Sequence, residues 1–339
     1  MLDAIANHQS HAWCVKCCHA LQFAKGTWYT NLFRAAVYPR MFYELDDDGE
    51  PFHYSPYDPE GRTFPGRGAS DSGFWDAYRT VYPLNSLLHT EQWGQQMEGW
   101  MNAYKEGGWL PSWSAPGDRG AMTGNMQDAS VADAIVKRRW LPESFDASLA
   151  WEAAAKDAFT VDRKGRKGLA LYERHGYIPI GHGVGDEVSA TLNYNLADYS
   201  MSLAAAELGL ESEAATLLNR SRGWRRLFDR TFKGGFMRPR HGNGSWLAPF
   251  DEFAWEGNAG EFTEAAAWQY RFYVPHEPKA LAELYGGDGQ LCDYLTETMT
   301  GKEAGGGGKG RGEGAGGAAP GAVYHNGNVS ADPVARRRI

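Results

Sequence analysis

Apolar positions along the chain recur mainly at three- and four-residue spacing, the period of helices that bury one face. Segments 29–36, 91–105, 130–139, 145–159, 189–208, 211–228 and 280–298 follow this pattern and are predicted as amphipathic helices. Strand-like alternation is scarce, and no β-α alternation suggests a parallel sheet. The prediction is an all-α fold of helices packed on helices. Long connections between them are where functional side chains would gather.

One further helix is predicted over 263–274, within FTEAAAWQYRFYVPHEP. Thr263 is suited to cap it, and Pro275 disfavours helical geometry in the residue before it. Glu264, Trp268 and Phe272 fall at i, i+4 and i+8, so on a helix the carboxylate would share a stripe with the rings. Two readings of Glu264 follow. It either serves the positive end of the helix dipole or is an acid whose burial raises its pKa toward the range of proton donation near neutrality.

Composition narrows the classes without choosing among them. With 339 residues, 42% hydrophobic and 22% charged, there is material for a large core. A net charge of -8 argues against a nucleic-acid partner. No apolar run approaches a membrane span, and the N-terminus lacks the basic head and apolar stretch of a signal peptide. Cys14-Val-Lys-Cys17-Cys18 has the spacing of half a zinc site. Only His8, His11 and His19 stand near it and no second CxxC follows, so free thiols are the simpler expectation. Asn219, Asn243 and Asn328 begin glycosylation sequons. From Gly301 a glycine-rich run offers no apolar payload against the entropy of ordering, and 301–339 is expected to be a disordered tail.

The connections carry the chemistry. Gly73-Phe74-Trp75-Asp76-Ala77-Tyr78-Arg79 joins rings, a carboxylate and a guanidinium in one short span, and Gly108-Trp109-Leu110-Pro111-Ser112-Trp113 adds two indoles. Aromatic faces pack on the C–H faces of sugars while Asp, Asn and Arg pair with hydroxyls, so these loops suit a carbohydrate pocket or, equally, tightly packed connectors.

In order, WYTNLFRAAVYPRMFYE, GFWDAYRTVYPL, GGWLPSW, MTGNMQDASVADA, GYIP, VSATLNYNLADYS, GFMRPR and the stretch with Glu264 resemble blocks of glycoside hydrolase family 92. The likeness runs from about Tyr29 to about Tyr294. It implies an exo-acting, calcium-dependent α-mannosidase that inverts the anomeric centre and releases terminal α-linked mannose from glycans. The family's β-sandwich followed by an (α/α)6 toroid implies here an incomplete toroid with the sandwich absent. The corresponding division is an N-terminal segment 1–28 without family match, a partial catalytic domain 29–300 and the tail 301–339. The family motif TEGNAWQY aligns with Thr263 to Tyr270, which implies Glu264 as the general acid. Trp75 and Asp76 lie in the block that resembles the family motif GxWDTxR, which implies them near the mannose. Trp113, Asn125, Asp133 and Trp268 are further sugar-binding candidates. Family members usually act outside the cytoplasm.

The sequence departs from the family pattern in three places. Gly-Asn after the acid reads Ala265-Ala266, and neither the NEPSHH-like calcium segment nor the GNDDxGxMSAW-like base segment is present. The resemblance therefore implies a truncated chain without the base and the calcium ligands, able to protonate but not to complete an inverting reaction. An inactive sugar-binding or structural fragment, and a glycosidase of another specificity, are the alternatives. From the tail's composition, removing residues 301–339 is expected to leave thermal unfolding of the rest nearly unchanged. A large fall in melting temperature would show that the tail packs on the helical body.

Overall fold

The structure, a computed structural model, describes residues 14–162 and 164–300, and the side chains from residue 22 onward. The tail, Asn328 and the side chains of Cys14, Cys17 and Cys18 lie outside what is described. About half of the described chain is helical, with small antiparallel pairings between helices. Helix α1 (Cys14–Ala35) runs unbroken across position 28/29, where sequence alone draws a boundary. Strands β1 (Arg40–Phe42) to β5 (Gly68–Ser70) follow, with β2 (Glu44–Leu45), β3 (Pro51–Tyr54) and β4 (Thr63–Pro65) forming a three-stranded sheet and β1 pairing β5. Strand β6 (Ser72–Gly73) leads into α2 (Phe74–Ala77), α3 (Val81–Leu88) and α4 (Thr90–Gly107), and β6 pairs with β7 (Trp113–Ser114). Then come α5 (Met126–Val136), α6 (Ala147–Phe159), α7 (Leu169–His175), α8 (Glu187–Glu207) and α9 (Glu211–Arg220). The hairpin of β8 (Phe228–Asp229) and β9 (Phe236–Met237) precedes α10 (Ala267–Tyr270), α11 (Pro278–Tyr285) and α12 (Asp288–Thr300).

The predicted periods survive where they are long. Segment 91–105 is α4, 145–159 is α6 with the Asp146 carboxylate accepting from the N–H of Ser148 and Leu149, and 189–208 is α8. Three expectations are corrected. Segment 280–298 is two helices, broken where Gly286 and Gly287 take φ of 105° and 114°. Segment 211–228 turns into a 3-10 helix at Ser221–Arg226 and then into β8. The helix expected over 263–274 is only the four residues of α10, so Thr263 caps no helix and Glu264 shares no helical stripe with Trp268 and Phe272. Glu264 instead takes φ of 49°, in the left-handed region.

Helix α8 is the hub. It packs against α5, α6 and α9, and it buries Ser189, Thr191, Asn193, Asn195 and Asp198 completely. Buried polar groups need partners, and here they form one network. Arg166 is fully buried and bridges Asp128 of α5, at 3.0 Å, to Asp198 of α8. Arg220 donates to both oxygens of Asp198, at 2.8 and 2.9 Å, and to the carbonyl of Ala158 in α6. The Tyr172 hydroxyl of α7 donates to Asp198 at 2.8 Å and accepts from Asn195 at 2.6 Å. Burial would raise Asp198, but the Arg166 and Arg220 charges outweigh it and hold its carboxyl below the usual range. Loss of Arg166 would leave the buried Asp128 carboxylate without its counter-charge, typically a cost of about 3–5 kcal/mol.

A third acid, Asp157 of α6, sits beside Asp128 and accepts from Gln127 at 3.0 Å. Burial, and then the Asp128 charge, push it well above the carboxylate range, so Asp157 binds its proton more tightly in the folded state. A group bound more tightly to its proton in the folded state adds stability that is complete below its unfolded pKa and is lost as pH rises through its folded one. In urea unfolding from about pH 5 to about pH 9, Asp157→Asn is therefore expected to flatten the decline in stability with rising pH. An unchanged pH dependence would show that Asp157 carries no excess proton.

Candidate active site

Glu264 lies on a turn held from both sides. The Thr263 N–H donates to Ser189 Oγ at 2.8 Å, and the Thr263 carbonyl accepts from the Tyr270 hydroxyl at 3.0 Å. Beyond it, the Ala266 N–H donates to Gln269 Oε1 at 2.9 Å, and the Ala265 carbonyl accepts from the Glu256 N–H at 2.8 Å. A left-handed non-glycine residue costs on the order of 1–3 kcal/mol and persists only where its surroundings over-determine it. These flanking bonds do so. They present a half-buried carboxyl whose pKa is raised, first by burial and then by the charges of Asp76 and Glu256.

Asp76 is the second acid of this site, in the first turn of α2. Burial raises it as well, while the Arg79 guanidinium pulls it back. The two carboxyls thus differ in company. The Asp76 and Glu256 charges add to burial in raising Glu264, whereas the Arg79 guanidinium works against burial at Asp76.

Gly73 leaves room on one side for both the Trp113 indole and the Asp76 carboxylate. Pairing of β6 with β7 sets Gly73 opposite Trp113. A Cβ on Gly73 would fall 2.4 Å from Trp113 Nε1 and 2.6 Å from Asp76 Oδ2, so a ring donor and a carboxylate converge on the space a side chain would fill. Trp113 Nε1 is buried without a hydrogen-bond partner, as is the indole nitrogen of Trp75, itself 5% exposed. A site with two carboxyls of raised pKa and two indole donors can donate a proton to an ether oxygen and hold hydroxyls.

Trp268, Asn125 and Asp133 have contacts of their own. Trp268 stands edge-on to Phe236 at 5.0 Å under the Arg271 guanidinium, in a packed aromatic group. Asn125 turns inward toward Asp157, 3.5 Å from its Oδ2. Asp133 pairs with Lys137 at 2.8 Å and lines a cavity of about 460 Å3 together with Arg79 and Tyr273. Of the predicted residues only Asp133 lines that cavity, and Glu264 and Asp76 do not. The geometry around the two acids is the better guide to chemistry, because they carry the displaced protonation. Sequence reasoning missed Gly73, Glu256 and Arg79 as parts of this site. Gly73 and Arg79 stand in the quoted Gly-Phe-Trp-Asp stretch, whereas Glu256 gave no local signal.

The profile of the glycosyl hydrolase family 92 catalytic domain matches residues 15–328. An uncharacterized secreted glycosidase of Arthroderma benhamiae is 32% identical over 270 residues, 66% of this chain and 34% of that protein. Among solved structures, a family GH92 inverting mannosidase from Bacteroides thetaiotaomicron superposes with a TM-score of 0.73 at 34% identity, over 80% of this chain and 36% of that one. A GH92 α-mannosidase of the same bacterium, solved in complex with mannoimidazole, gives 0.72 at 27% identity, over 82% and 36%. The chain spans about a third of the length of these relatives.

The Gly73 notch makes its own prediction. Gly73→Ala is expected to lower the free energy of urea unfolding by about 1–3 kcal/mol, the usual cost of overpacking. No measurable loss would mean that indole and carboxylate move apart freely.

Proposed function

Because the chain belongs to glycosyl hydrolase family 92, we propose that it forms part of the catalytic domain of an exo-acting α-mannosidase in which Glu264 is the general acid. The observation that carries this reading is the Glu264 turn, which holds a half-buried carboxyl whose pKa is raised first by burial and then by the charges of Asp76 and Glu256. The mannosidase names of the structural relatives support the substrate class, and the mannoimidazole complex of one relative supports a mannose-shaped site. On this reading the helical body is part of an (α/α)6 toroid, and the protein acts outside the cytoplasm, as the secreted relative does by its name. Among the described residues no helix is long and apolar enough to cross a membrane.

Glu264 donates its proton to the departing glycosidic oxygen as the C–O bond breaks, and a water attacks the opposite face so that the anomeric centre inverts. Asp76 accepts from a hydroxyl of the terminal mannose, and Trp75 and Trp113 lie against its ring. No described carboxylate is assigned as the base. Calcium is the family's cation, yet among the described residues no group of three or more His, Cys, Asp or Glu is arranged to hold an ion. The described residues do not fit it, and no step is routed through it.

The test uses a chimaera in which this segment replaces its counterpart in a full-length active relative. Glu264→Gln is expected to lower turnover of a poor-leaving-group α-mannoside by about 100- to 10,000-fold, with a much smaller loss on an activated aryl α-mannoside. Equal losses on both substrates, with a lowered melting temperature, would make Glu264 a structural residue.

A further inference from the structure

The cavity of about 460 Å3 that Asp133 lines is of a size to take a monosaccharide, and it lies apart from Glu264 and Asp76. Its walls include the rings of Tyr78, Phe272 and Tyr273, and its charged members are Arg79, Asp133 and Lys137. The last two answer each other. Lys137 Nζ lies 2.8 Å from Asp133 Oδ2 and donates to Ser86 Oγ, also at 2.8 Å. Arg79 has no such counterpart. Among the described residues it forms no ion pair within 4.0 Å, and its Nε is buried without a hydrogen-bond partner. Asp76, three residues earlier, feels its charge without pairing with it. What holds Arg79 is aromatic: its guanidinium carbon lies 4.7 Å from the ring centre of Tyr78 and 4.8 Å from that of Tyr273. The two hydroxyls bond each other, and that of Tyr273 donates to Asn193 Oδ1 of α8 at 2.9 Å. This clamp fixes the cation at the cavity wall and leaves its N–H groups without an acceptor oxygen. Gln269, on the same wall, commits its carbonyl to the Ala266 N–H at 2.9 Å and keeps its amide N–H groups for a ligand.

We propose that this cavity is a second binding site, for a small anionic sugar whose carboxylate or phosphate group bonds the Arg79 guanidinium while its ring packs on Phe272 and Tyr273. A guanidinium with no other acceptor suits either group, since both can take two parallel N–H bonds from its planar fork. An anion also completes the charge balance of the cavity, where one cation of two is already paired. The aromatic rings offer apolar faces to the C–H side of a sugar, and the Lys137–Asp133 pair offers a donor and an acceptor to its hydroxyls. A neutral sugar would leave the Arg79 charge without a counter-ion. The site goes beyond the reading of Glu264 and does not rest on it, because neither Glu264 nor Asp76 lines the cavity.

Calorimetric titration of the full chain with glucuronate, glucose 6-phosphate and glucose separates charge from ring, since the three share one ring. Both anions are expected to bind at least about tenfold more tightly than glucose, and the tighter of the two names carboxylate or phosphate as the group. Arg79→Met, which keeps a long stem without charge, is expected to remove that preference, a loss of about 10- to 100-fold for the anions. Asp133→Asn removes the one carboxylate on the described walls and is expected to tighten both anions severalfold. Glucose binding as tightly as the anions, no binding by any of the three, a preference that survives Arg79→Met, or weaker anion binding in Asp133→Asn would overturn the proposal. Where Arg79→Met does not fold, Ser200→Leu, which adds bulk to the wall from α8 and leaves every charge in place, joins Asp133→Asn. It is expected to abolish binding of both anions, and anion binding unchanged in these two variants overturns the site equally. Turnover plays no part in the readout, so this site and the reading of Glu264 fail separately.

Discussion

The buried Arg166 guanidinium is the constraint on which the rest depends. It joins Asp128 of α5 to Asp198 of α8, and through Asp198 it is coupled to Arg220 and Tyr172. In a low-dielectric interior such charges are tolerated only when each finds its counter-charge in good geometry. The helices therefore have little freedom to slide. Helix α8 in particular is fixed in height and rotation, and it carries the two groups that build the site above it. Ser189 receives the Thr263 N–H and Asn193 receives the Tyr273 hydroxyl, so the Glu264 turn and the Arg79 clamp are both referenced to one helix.

Much of this was legible in the sequence, but not the part that decides the geometry. Long apolar periods such as α4, α6 and α8 announce themselves because packing and propensity agree over many residues. Around Glu264 they disagree. Thr263, three alanines and rings at four-residue spacing describe a good helix, yet the Ala265 carbonyl is taken by the Glu256 N–H and the Thr263 N–H by Ser189, 74 residues away. Tertiary hydrogen bonds override local preference there, as is common where a site is built. The residue could be singled out and its local structure could not. Arg166 was missed for the opposite reason. It stands in Asp162-Arg163-Lys164-Gly165-Arg166-Lys167-Gly168, a basic, glycine-broken run that reads as a solvated loop. Only the fold reveals that Arg166 is swallowed between two carboxylates.

The backbone also bears on the departure from the family pattern after the acid. Positions 265 and 266 carry alanine where the motif has glycine and asparagine. A glycine is demanded only where φ is positive or a Cβ would collide. Here the positive φ falls on Glu264 itself, whereas Ala266 is extended at φ of -98° and ψ of 175°, and Ala265 is not left-handed. Alanine is thus compatible with the turn at both positions, and the N–H of Ala266 keeps its acceptor in Gln269. The strain of a left-handed glutamate, on the order of 1–3 kcal/mol, is offset by flanking hydrogen bonds worth about 0.5–1.5 kcal/mol each. What the turn achieves for that cost is orientation. It takes the carboxyl off the helical stripe of Trp268 and Phe272, and there the charges of Asp76 and Glu256 add to burial in raising its pKa.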